Sequence, residues 1–173
     1  MKRLFSTIIL TAACFLCGAQ TRTYSDNASK TFIIGLESYF YGAGGSLDFQ
    51  VGKTECRATV SDGSVSVNDV LLESGSGDTV IGIHDFTNSG SPELVVARRS
   101  GNTLSAGVYA WDGDSWKRIG RVGAEGEGVS DIRVFRQAVT IKNRTSGVLY
   151  TWTWHGSQFD FKASDGSAEP LLF

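Results

Sequence analysis

The stretch HDFTNSGSPELVV, residues 84–96, opens on an acid, crosses a polar loop holding one glycine, and closes on a glutamate entering an apolar run. Oxygen groups in such a loop suit calcium. That ion takes about six to eight oxygen ligands and favours ionised carboxylates, which offset the loss of its water. Only two acids stand here, Asp85 and Glu93. The same residues also make a structural turn in which the Asp85 carboxylate accepts hydrogen bonds from loop amides. The turn is the expected reading, with Ca2+ as the alternative.

Other reactive groups are few. His84 precedes the loop, and His155 sits in the hairpin-like WHGSQF. Neither has a His or Cys at zinc-ligand spacing. No serine stands in a G-x-S-x-G pattern leading into a helix. YGAGGSLDF at 41–49 lacks both the GxGxxG spacing and the helix that would cradle a phosphate, and reads as a flexible loop. Asp112 with Asp114, and Glu125 with Glu127, flank turns and are expected to be solvated. Cys56 alternates with polar neighbours in ECRATV, as a small buried hydrophobe does. No catalytic residue is assigned, and a non-enzymatic protein is expected. A hydrolase would need His84 or His155 beside a carboxylate and a hydroxyl.

The aromatic residues carry more. Tyr109, Trp111 and Trp116 gather in one hairpin-like segment, and Tyr150, Trp152 and Trp154 in another. Flat rings on an exposed face stack on sugars or fill a partner's pocket; the other reading is a shared aromatic core under both hairpins. Tyr150, Trp152 and Trp154 fall on one face by the two-residue period, so burying all three would saturate that side. Trp111 and Trp116 lie next to a turn, where exposure is more plausible.

The elements that must position these rings follow from composition. The chain has 21 glycines and 2 prolines. Short runs of Val, Ile, Thr and aromatics alternate with Gly/Ser/Asp/Asn clusters, the pattern of many short strands. Candidate strands are 31–37, 47–51, 57–60, 64–72, 79–84, 93–99, 107–111, 115–121, 129–136, 138–142, 148–154 and 158–162. No long window shows a helical stripe. WDGDSW and WHGSQF read as hairpin turns around Gly113 and Gly156. Aligning Trp111 on Trp154 sets Trp116 on Phe159, a spacing of about 43 residues, within the range of a four-stranded propeller blade. The expected fold is all-β: antiparallel sheets packed as a sandwich or open barrel of blade-like four-stranded units, with a small propeller-like assembly as the alternative.

The leader MKRLFSTIILTAACFLCGAQ has a basic start, an apolar stretch and small residues before Gln20, as a secretory signal peptide does. Lipidation at Cys14 is the minor alternative. The expected organisation is a signal peptide at 1–19, a mobile lead-in at 20–30, one β domain at 31–163 and a tail at 164–173. Loss of the leader leaves Cys56 alone, so no disulfide framework is expected. Net charge is −2, and no basic stripe interleaves with aromatics, so neither nucleic acid nor anionic membrane is an expected partner. Arg98-Arg99 and Lys117-Arg118 read as solvated strand ends. The expected location is periplasmic or extracellular.

Two resemblances sharpen these readings. DFTNSGSPELVV resembles the aspartate-rich loop of FG-GAP/VCBS-type β-propeller repeats. That resemblance implies ligands at Asp85, Thr87, Ser89 and Glu93, with the Ser91 carbonyl as a fifth, though with fewer acids than the family pattern supplies. SPELVVARRSGNTLSAGVYAW resembles the core of periplasmic inhibitors of invertebrate-type lysozyme. Such inhibitors insert a Ser-Gly-x-x-Tyr loop into the enzyme's cleft. SGVLY, with Ser146, Gly147 and Tyr150, matches that spelling, and SAGVY, with Ser105 and Tyr109, matches it loosely. The leading expectation is an exported domain that binds a protein or glycan, with a lysozyme inhibitor as the alternative.

Overall fold

The computed structural model describes residues 20–25, 31–36, 38–41 and 45–170, with side chains from 46 to 170. Residues 1–19, where the signal peptide and Cys14 lipidation are expected, and residues 171–173 lie outside the described residues. All regular structure described is strand: β1 (Gln20–Ser25), β2 (Thr31–Leu36), β3 (Ser38–Tyr41), β4 (Gly45–Val51), β5 (Thr54–Ser61), β6 (Ser64–Val67), β7 (Val70–Glu73) and β8 (Asp78–His84). There follow β9 (Glu93–Ser100), β10 (Thr103–Trp111), β11 (Trp116–Glu125), β12 (Val129–Phe135), β13 (Ala138–Asn143), β14 (Leu149–Trp154) and β15 (Phe159–Ala163). The protein is all-β, as its period-two pattern implies. No helix among the described residues is long and apolar enough to cross a membrane.

Three antiparallel meanders follow one another along the chain. The first sheet runs β4-β5-β6-β7, the central one β11-β10-β9-β8 with β3 added beside β8, and the last β12-β13-β14-β15. β1 and β2 form a separate pair, so Gln20–Ser25, at the start of the expected lead-in, is a strand. The aligned hairpins are equivalent in the fold. Trp111 pairs with Trp116 and Trp154 with Phe159, each as the cross-strand pair at the turn end of its meander's last hairpin.

The central sheet is covered on both faces. Val95, Ala97, Leu104, Ala106 and Val108 pack toward Ile132, Val139, Ile141, Trp152 and Trp154 of the last sheet. Ile81, Leu94, Val96 and Tyr109 pack toward Val60, Val65 and Val67 of the first. Alternate residues of β9 therefore enter different cores, and seven of its eight positions are buried. Cys56 lies in the core between the first and central sheets, and burial pushes its thiol above the ordinary range.

This layering corrects the reading of Arg98 and Arg99. They are not solvated strand ends, since only 8% and 7% of their surfaces are exposed. On a strand with a sheet on either side, neither neighbour can escape to water. Arg98 reaches toward the first sheet, where Nη1 donates to the Gly63 carbonyl at 2.6 Å and Nη2 to Glu73 Oε1 at 3.3 Å. Arg99 reaches the other way and donates from Nη2 to the Val129 carbonyl at 3.1 Å. Gly75 makes room for the Arg98 guanidinium: a Cβ there would stand 2.4 Å from Nη1.

The segment 64–72, read as one strand, is two. Asn68 and Asp69 both take positive φ, at 48° and 66°, the pair a two-residue type I′ hairpin turn requires. Asn68 fixes this turn on β5, accepting from the Arg57 amide at 2.8 Å and donating to the Glu55 carbonyl at 3.2 Å. The resulting β6–β7 hairpin is short, with strands of 4 residues, against 9 and 10 for β10 and β11. It leaves the turn end of the β10–β11 hairpin uncovered.

Candidate functional site

That uncovered end forms an open groove of about 270 Å³. Trp111 and Trp116 make one wall, with ring centroids 5.8 Å apart and planes tilted by 57°. Phe49 meets Trp116 edge-on at 5.8 Å and braces it from the first sheet. Val70, Leu71 and Leu72 make the other wall. Val70 is 71% exposed and Leu71 62%, so an apolar surface faces solvent beside two half-buried indoles. The turn is held by Asp112, which accepts from the Ser115 amide at 2.8 Å and the Asp114 amide at 2.9 Å. Those amides hold its carboxyl below the usual carboxylate range. Asp114 and Ser115 also line the groove.

Below the groove, the first and central sheets are joined by a polar clasp. Tyr109 is buried on β10, two residues before Trp111, and its hydroxyl donates to Glu73 Oε2. Glu73 Oε1 accepts from Arg98, whose Nη1 also reaches the Ser76 carbonyl at 3.4 Å. Burial, and then the adjacent Glu73 carboxylate, push the Tyr109 phenol well above its ordinary value, with Arg118 opposing. A phenol ionises near pH 10 in an unfolded chain. The folded protein therefore holds this proton more tightly, and the stabilisation is present below about pH 10 and lost as pH rises above it. Unfolding measured from pH 8 to 11 is expected to show wild type losing stability more steeply than Tyr109→Phe. Parallel curves would contradict the linkage.

No protein-family model matches the chain. Neither does any curated protein or solved structure.

The candidate ligands of the 85–93 loop do converge. Thr87 Oγ1 lies 2.8 Å from Glu93 Oε1, 2.9 Å from Ser89 Oγ and 3.5 Å from Asp85 Oδ1, and Ser89 Oγ donates to the Ser91 carbonyl at 3.2 Å. Both carboxylates, however, already accept from the loop. Asp85 takes the amides of Ser89 at 3.0 Å and Gly90 at 2.8 Å, and Glu93 takes those of Phe86 at 2.7 Å and Thr87 at 3.4 Å. With two acids so engaged and neutral hydroxyls between them, the loop fits the structural turn better than a cation. Millimolar calcium, or EDTA, is expected to move Tm by less than about 1 °C. An ion bound at 100 times its Kd would add about 2.7 kcal/mol and raise Tm by several degrees.

The two Ser/Gly/Tyr segments are not protruding loops that carry a tyrosine. Ser105 and Tyr109 are buried along β10. Ser146 and Gly147 are exposed at the β13–β14 turn, where Asn143 Oδ1 accepts from the Thr145 and Ser146 amides at 2.9 and 3.0 Å. Tyr150 turns inward and stacks on Phe161 at 6.2 Å. A strand's alternation sends it there along with Trp152 and Trp154.

The histidines stand apart. His84 is buried edge-on to Phe86 at 4.7 Å, and its Nε2 donates to the Arg136 carbonyl. A carbonyl only accepts, so this nitrogen carries the proton. His155 lies on an exposed hairpin, 3.8 Å from Asp160. The wall formed by Val70 and Leu71 escaped the sequence reading because the Asn68-Asp69 turn went unrecognised. Asn and Asp tolerate positive φ, and that was the available signal.

Proposed function

We propose that this chain is an exported, non-enzymatic binding domain that takes a protein partner in the groove between Trp111/Trp116 and Val70/Leu71. The observation that carries the reading is the exposure of Val70 and Leu71 opposite two half-buried tryptophans. Contiguous apolar surface of this kind marks interaction sites, and tryptophan is the residue most enriched at their energetic centres. Two aliphatic side chains on the facing wall favour a protein over a glycan, whose hydroxyls need polar partners. Two further surface grooves are lined mainly by polar and charged side chains: Asp48, Gln50, Glu55 and Arg57 on the first sheet, and Asp131, Arg133 and Lys142 on the last. The same reading treats the three meanders as blade-like units akin to FG-GAP/VCBS repeats, supported by the equivalence of the Trp111–Trp116 and Trp154–Phe159 pairs.

Selection from a phage-displayed random peptide library, in parallel with an oligosaccharide array, tests this function. Peptides retained by the wild type are expected to lose at least about tenfold in affinity on Trp116→Ala, as a central aromatic anchor does. If the recovered ligands bind Trp116→Ala and Trp111→Ala as well as wild type, the groove is not the site.

A further inference from the structure

The edge beside the groove says what form the partner takes. β7 is the last strand of the first sheet, paired with β6 on one side, and no described strand pairs with it on the other. An open edge offers a row of backbone N–H and C=O groups to any extended chain, and proteins usually block it with charged side chains. Other edges here are blocked in that way. β11 carries exposed Lys117, Arg118 and Arg121, and β15 carries exposed Asp160 and Lys162. β7 reads Val-Leu-Leu-Glu. Its one charge, Glu73, is engaged by Tyr109 and Arg98 and does not guard the edge.

We propose that β7 is a strand-addition site: an extended peptide pairs antiparallel with Val70–Glu73 and seats alternate apolar side chains against Trp111 and Trp116. This inference rests on the groove being the binding site and adds the partner's conformation and chemistry. Main-chain hydrogen bonds supply affinity in such complexes, while pockets under alternate side chains supply specificity. The antiparallel direction follows from the better-aligned bonds of that pairing. Charge sets the register. Asp69, Asp112 and Asp114 are exposed at the turn end of the groove, with Lys117 set 3.9 Å from Asp112. An antiparallel peptide has its carboxyl-terminal side at that end, because β7 begins there. The partner segment is therefore apolar at alternate positions, with a Lys or Arg following them.

The probe is a synthetic set, Thr-X-Thr-X-Thr-Lys with X drawn from Val, Leu, Ile, Phe and Trp, titrated against the full domain by fluorescence. Tight members are then remade with N-methyl groups on alternate residues, in both registers. Residues of an added strand point their N–H groups alternately toward and away from β7. Methylation of the inward-pointing set is expected to cost at least about tenfold in affinity, and of the outward set less than about threefold. Leu71→Lys, which gives β7 the charge the other edges carry, is expected to weaken binding while leaving the circular-dichroism spectrum unchanged. If both methylated registers bind alike and Trp116→Ala still abolishes binding, the groove stands and strand addition falls. Failure of every member of the set to bind also overturns strand addition. So does an oligosaccharide whose binding depends on Trp116, or a peptide-free dimer that Leu71→Lys dissociates. Ligands indifferent to Trp116 would remove the underlying site instead.

Discussion

Arg98→Met is expected to lower the free energy of unfolding by about 2–4 kcal/mol. The guanidinium is the only described side chain that bridges the Gly63 carbonyl, the Ser76 carbonyl and Glu73. Its removal leaves the buried Gly63 carbonyl without its donor and leaves Glu73 and the Ser76 carbonyl, which water partly reaches, without the cation. Removing one partner of a fully buried pair costs about 3–5 kcal/mol. The range here is lower because the Glu73 side chain keeps 23% of its exposure. Against a typical total of about 5–15 kcal/mol, this is a large share. The triple variant Arg98→Met/Glu73→Leu/Tyr109→Phe, which also removes the phenol hydroxyl that Glu73 accepts from, is expected to recover part of the loss, since apolar groups of similar volume often match a buried ion pair. Urea unfolding measures both. A loss below about 1 kcal/mol would mean that the clasp does not hold the first sheet to the central one.

Trp152→Ala is expected to cost about 3–5 kcal/mol, the usual loss for a buried aromatic. Trp152 is among the largest fully buried side chains, with Phe161 5.2 Å away. Its indole Nε1 also donates to Glu169 Oε1 at 2.6 Å, which ties the segment after β15 to the last sheet. The two contributions separate by substitution. Trp152→Phe keeps most of the packing and loses the hydrogen bond, so its cost is expected to be about 1–2 kcal/mol. Both changes are expected to speed amide exchange at 167–169. Exchange there unchanged in Trp152→Ala would contradict the tether.

The strands and their hairpins were legible because alternation and turn glycines are local signals. WDGDSW and WHGSQF align by residue type alone, and the structure gives both the same cross-strand pairing. The face test on Tyr150, Trp152 and Trp154 also worked, because all three go to the core side. What local pattern could not reveal is that the central sheet has a neighbour on each face. Arg98 and Arg99 looked solvated because a strand with one wet face always has somewhere to put a charge. The unbroken run Leu94-Val95-Val96-Ala97 was the contrary signal, since a strand covered on both sides loses its alternation. Ser105 and Tyr109 are both buried on β10 for the same reason. A Ser-x-Gly-x-Tyr spelling describes a loop or a buried strand equally well until the layers above and below are known. Trp111 and Trp116, between exposure and a shared core in the sequence, are half-buried against the core beside their turn; the aliphatic wall depends on a hairpin that residue type alone merges into one strand.

The groove is tested most directly by mapping chemical shifts in a 15N-labelled sample titrated with a peptide recovered by display. The expected result is that the indole N–H signals of Trp111 and Trp116 move together with the backbone amides of Val70, Leu71 and Leu72. Those five signals unmoved, with perturbation instead along Asp131–Lys142 or in the 85–93 loop, would place the binding face elsewhere and contradict the account.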